Sequence, residues 1–79
     1  MEEILTLAQI APGERCFVSK LRATGGMRRR LLDIGLVENA PVTCLGRSPG
    51  GDPSAYLICG AVIAIRARDA RDVVVRYGA

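Results

Sequence analysis

The side chains with the most chemical potential in this chain are three consecutive arginines, Arg28, Arg29 and Arg30, and three cysteines, Cys16, Cys44 and Cys59. A run of guanidinium groups can neutralise phosphates. It can also grip carboxylates and stack on apolar groups at a protein interface. A phosphate-binding surface needs a broader basic field, and single-strand binders also need exposed rings on which bases stack. Phe17, Tyr56 and Tyr77 are the only aromatic residues, and Phe17 is expected to cover part of the core. No nucleic-acid partner is therefore expected. A plain solvated helix face and a protein-docking edge are the two readings left for the arginines.

The cysteines stand 28 and 15 residues apart, with no C-x-x-C pair, and the chain has no histidine. Transition-metal ions favour His, Cys or carboxylate ligands grouped in space, so no metal centre is expected. Cys16 and Cys44 suit the core as small hydrophobes. Cys59, if it points outward, is the one candidate for a reactive thiol or an adventitious metal ligand. Acid–base and nucleophilic catalysis need a positioned base beside a nucleophile, and no such set is visible; no enzyme is expected. Gly50-Gly51-Asp52 lacks the Lys-Ser/Thr of a phosphate-binding loop. Gly25-Gly26 could offer backbone N–H groups to an anion but reads more simply as a hinge.

The elements that carry these residues follow from spacing. Met27, Leu31 and Ile34 recur at helical intervals, and Gly35 can take the left-handed conformation that stops a helix. The arginines then lie on the outer side, where Arg29 and Asp33, four apart, could pair. Thr6 can cap a short turn over Leu7 to Ile10. Strands are expected over Arg15 to Leu21, Pro41 to Arg47, Ala55 to Cys59, Ala61 to Arg66 and Asp72 to Tyr77, with one helical turn at Ala67 to Arg71. Pro12-Gly13, Glu38-Asn39 and the run Ser48 to Pro53 are turn chemistry. Gly60 marks a bend between two strands. Alternation places Cys16, Val18, Val42, Cys44, Tyr56, Ile58, Val73 and Val75 inside; Leu57 and Cys59 then face out, and Val62 can join them across the bend.

Five short strands separated by turn signals indicate a mainly β fold, a small barrel with one short helix after the first strand. At 79 residues the chain is one domain, residues 1–79, and 49% apolar content supports a core without disulfides. The net charge is only +3, yet residues 15 to 30 hold six cations and no acid, so the basic surface is local. No apolar run approaches the roughly 18 residues of a membrane span. The acidic start at Glu2 and Glu3 is unlike a secretory leader, so a cytoplasmic protein with reduced thiols is expected.

Taken in order, several segments resemble the FeoA family. Arg29-Arg30-Leu31-Leu32-Asp33-Ile34-Gly35-Leu36 is similar to its RRLLDLGL segment. Asp52-Pro53 with Gly60 resembles its GDP…G hairpin, and Ile63-Ala64-Ile65-Arg66 with Ala70 and Val73-Val74-Val75 resembles its ending. Leu7, Gly13 and Val18 fit its opening. Two positions depart: Glu38-Asn39 replaces the usual Pro-Gly, and Leu57 and Cys59 stand where the family tends to be polar or basic.

The resemblance implies an SH3-like β-barrel and a cytosolic accessory role in bacterial ferrous iron uptake. The implied partner is FeoB, a membrane permease with a cytosolic GTP-binding domain. A related domain closes the chain of iron-dependent repressors, so a metal-binding or metal-sensing domain is the alternative, with ferrous iron or zinc as the metal; the chain resembles the free-standing form. The expected partner-binding residues are Arg28, Arg29 and Arg30 for charge complementarity and Leu57 and Val62 for apolar contact.

Overall fold

The computed structural model describes residues 4–78; the acidic start at Glu2 and Glu3 lies outside them. A 3₁₀ turn, Leu7–Gln9, comes first. Thr6 opens it with a capping box, its backbone N–H donating to Gln9 Oε1 at 2.8 Å. Five strands follow: β1 (Arg15–Leu21), β2 (Pro41–Arg47), β3 (Ser54–Ile58), β4 (Ala61–Ile65) and β5 (Val73–Tyr77). Helix α1 (Gly25–Asp33) lies between β1 and β2, and a single turn, α2 (Ala67–Ala70), precedes β5.

All neighbouring strands are antiparallel, in the order β4-β3-β2-β1-β5. Two irregularities curl this sheet. The register shifts in β1 between Val18 and Lys20, and in β2 between Cys44 and Gly46. Each adds twist, which bends a five-stranded sheet towards a barrel. The result is the mainly β, SH3-like domain expected from the sequence.

Alternation then assembles the core. Cys16 and Val18 from β1, Val42 and Cys44 from β2, Tyr56 and Ile58 from β3, and Val73 and Val75 from β5 are all buried. Leu7, Ile10, Leu31, Leu36 and Ala70 close the ends. Tyr56 is the largest fully buried side chain, and its hydroxyl donates to the Leu7 carbonyl at 3.3 Å. An unpaired phenol there would lose the hydrogen bonds it makes in water, so this contact ties the 3₁₀ turn to the barrel.

Four local expectations change. Helix α1 begins two residues before Met27, so the Gly25-Gly26 pair lies within its bounds, and Gly25, at φ +60°, makes the turn into it. Phe17 does not cover the core. With Cys16 and Val18 inside, the period of two puts its ring on the outer face, half-buried between the guanidinium groups of Arg15 and Arg76 at 5.4 and 5.3 Å. Arg29 and Asp33 do not pair; among the described residues the one salt bridge is Arg68–Asp69 at 3.9 Å. Asp33 sits at the helix C-terminus, where the backbone carbonyls disfavour a carboxylate and water solvates both charges. Cys59 is not the end of a strand. It and Gly60, at φ +50° and +80°, form a two-residue hairpin turn with both residues left-handed, so β3 ends at Ile58.

Candidate functional surface

Helix α1 is held by three apolar side chains. Leu31 is buried, and Met27 and Ile34 pack partly against the core. That commits one side, so Arg28, Arg29 and Arg30 all stand in solvent. The helix ends in a Schellman motif: Leu36 N–H donates to the Leu31 carbonyl at 3.1 Å and Gly35 N–H to the Leu32 carbonyl at 3.0 Å. Leu31 and Leu36, both buried, supply the apolar contact that accompanies this cap.

Gly35 then joins the helix to the sheet. Its φ is +107°, and a Cβ there would lie 2.7 Å from Cys59 Sγ and 3.1 Å from Ile58 Cγ2. Glycine is favoured twice over, by the backbone angle and by the hairpin turn close against it. The end of α1 is thereby seated on the β3–β4 turn.

The other half of the expected surface lies on the outer face of that hairpin. Leu57 and Val62 face each other across β3 and β4, exposed at 39% and 66%. On β2, Thr43 stands opposite Leu57. Two of the arginines and Leu57 line separate depressions. Arg28 and Arg29 share a groove with Gly25, Leu32 and Asp33. Leu57 shares a shallow one with Arg15, Pro41, Thr43, Cys59 and Gly60.

The cation nearest in register to Leu57 is therefore Arg15, which pairs with Thr43 across β1 and β2. The Arg15–Phe17–Arg76 stack continues the same face, and Arg76 is steadied by a 2.7 Å hydrogen bond to Asn39 Oδ1. The sequence signal for Arg15 and Phe17 was available in the alternation of β1. Their position beside Leu57 depended on the register of three strands.

The thiols separate by environment. Cys16 and Cys44 are fully buried; desolvation first, then the neighbouring Cys44 and Glu14, push Cys16 up to about 11. A thiol so buried and so raised carries even less of the reactive thiolate at neutral pH than a free one. Cys59 is exposed, and its Sγ approaches the Gly35 carbonyl at 3.9 Å. Among the described residues no three His, Cys, Asp or Glu side chains gather where they could share a metal ion. A structural zinc site takes four such ligands, so the described residues do not fit one. No described helix is long and apolar enough to cross a membrane.

The fold and surface together define a small SH3-like domain that displays an apolar pair, a flanking arginine–phenylalanine stack and a basic helix. Residues 5–77 match the FeoA domain, and the chain belongs to the FeoA family. It is similar to the FeoA protein of Chlorobium tepidum, at 32% identity and a TM-score of 0.88 over 95% of this chain and 71% of that one. It is also similar to the zinc-complexed FeoA of Stenotrophomonas maltophilia, at 27% identity and a TM-score of 0.81 over 90% and 88% of the two chains. That protein was put forward as a prokaryotic SH3-domain factor activating ferrous iron transport. A manganese-dependent transcriptional repressor shares the fold, at 18% identity and a TM-score of 0.83 over 99% of this chain and 44% of that one. No curated protein matches the sequence.

Proposed function

We propose that this chain is a cytosolic accessory protein of ferrous iron uptake, acting by contact with the cytosolic domain of a FeoB-type permease and performing no chemistry of its own. The observation that carries this reading is the outward pair Leu57 and Val62, two large apolar side chains facing each other on the surface of a FeoA-family domain. Apolar side chains grouped at the surface of so small a domain fit the centre of an interface. Arg28, Arg29 and Arg30 supply charge that steers an acidic partner surface from a distance. The activating role put forward for the Stenotrophomonas relative supports the same assignment.

The test is a titration of the permease's purified cytosolic domain with this protein. Leu57→Asp and Val62→Asp should each weaken binding at least about 10-fold, as truncation of a central contact does. Reversal of the three arginines to Glu should slow association and flatten its salt dependence, with less effect on dissociation. No binding at high micromolar concentration by the folded protein would overturn the proposal.

A further inference from the structure

The sheet has two outer edges, and the fold treats them differently. At β5 the edge is covered by the chain's own start: Val75 N–H donates to the Leu5 carbonyl at 2.9 Å, and Thr6 bridges to Val74. Strand β4 pairs with β3, and among the described residues nothing pairs with its other side. Natural sheets blunt such an edge with lysines, a proline, a bulge or an inward charge. Strand β4 is Ala61-Val62-Ile63-Ala64-Ile65, in regular register with β3 throughout, and Ala61, Val62 and Ala64 are exposed. It carries none of the protecting devices.

The direction of its free hydrogen bonds follows from the hairpin. A two-residue turn closes on Ile58 and Ala61 as a hydrogen-bonded pair, so Tyr56–Ile63 and Ser54–Ile65 are hydrogen-bonded pairs as well. The N–H and C=O groups of Val62 and Ala64 then point away from β3, towards the open edge.

We infer that this edge binds a second copy of the chain, β4 against β4 in antiparallel register about Ile63. In that register Val62 of one copy faces Ala64 of the other, and the symmetric pair repeats it. All the outward backbone groups of both residues are satisfied. The charge pattern selects this occupant. From Pro53 to Ile65 the chain holds no charged residue, so an acidic or basic strand would find no counter-charge, whereas two identical edges meet without repulsion. The first cation beyond the strand, Arg66, falls opposite Gly60 of the second copy and not opposite its own counterpart. Val62 and Leu57 of one copy would then continue onto Ala64 and Ala55 of the other, making one larger apolar face.

Sedimentation velocity of the intact protein from micromolar to millimolar concentration tests this. The mass should rise from monomer towards dimer, and the Val62 and Ala64 amides should gain hydrogen-exchange protection in step. Ala64→Pro removes an N–H that only a neighbouring strand uses, at the one kind of strand position where proline is tolerated. Val62→Lys places a charge on the edge and serves if the proline variant unfolds. Each variant, with its circular dichroism unchanged, should stay at monomer mass where the parent is mostly dimer. A parent that remains monomeric at millimolar concentration overturns the inference. So does a dimer that survives in a folded variant, or protection of these two amides by the permease domain and not by self-association.

Discussion

Replacing Gly35 with alanine probes the seat of α1 on the hairpin. The backbone there has φ +107°, and for an L-residue in the left-handed region the strain is about 1–2 kcal/mol. The new Cβ also meets Cys59 Sγ at 2.7 Å and Ile58 Cγ2 at 3.1 Å. Sγ can rotate away, so the added crowding is near the low end for overpacking, about 1 kcal/mol. The sum is about 2–3 kcal/mol. A domain of 79 residues has about 4–12 kcal/mol of stability in all. Urea denaturation followed by circular dichroism measures the loss directly. In a Cys59→Ala background Sγ is gone, which leaves the Ile58 Cγ2 contact at 3.1 Å and an ordinary one to the Cβ of residue 59 at 3.5 Å. The same Gly35→Ala change should therefore be milder there by about 0.5 kcal/mol, the share of the crowding due to Sγ, a coupling that only touching residues show. Equal losses in the two backgrounds would refute the contact. A loss under about 1 kcal/mol in both would refute the backbone argument as well.

The thiols give a second prediction: a thiol-specific reagent at neutral pH should modify Cys59 alone in the native protein and all three cysteines in denaturant. Early modification of Cys16 or Cys44 would contradict their burial. Stability should fall with rising pH between about 9 and 11, because the unfolded state releases the Cys16 proton near 9.0 while the folded state holds it to about 11. The full effect is at most about 3 kcal/mol, and it should vanish in Cys16→Ala when the two chains are unfolded across that range. Cys59→Asn should stabilise the hairpin by about 0.5–1 kcal/mol, since Asn-Gly is the favoured pair for a turn with two left-handed residues. A lower melting temperature would show that the Sγ contact with Gly35 matters more than the turn.

Much of the fold was legible before any coordinates, because alternation and turn chemistry act over a few residues. The bounds of β1 and β2, the stop at Gly35, the left-handed Asn39 at φ 70° and the inward Cys16, Val18, Val42 and Cys44 all follow from neighbours along the chain. The outward side of Leu57 follows in the same way, whereas its direct pairing with Val62 depends on the two-residue turn at Cys59-Gly60. Cys59 was misread as strand because its type says nothing of a left-handed φ; the two-residue turn imposes one. Phe17 was misread because its size suggested a core that the parity of its own strand denied it.

By itself, then, the sequence determined the parity of each strand, the inward side of α1 and the exposure of Arg28, Arg29 and Arg30. These depend on periodicity, which is a local property. The tertiary structure decided what lies beside what. It set Arg15 next to Leu57, seated the end of α1 on the β3–β4 turn, covered the β5 edge with Leu5 and Thr6, and left β4 bare. Those adjacencies depend on register and strand order between segments distant in sequence. They are fixed only when the whole sheet curls and closes over its core.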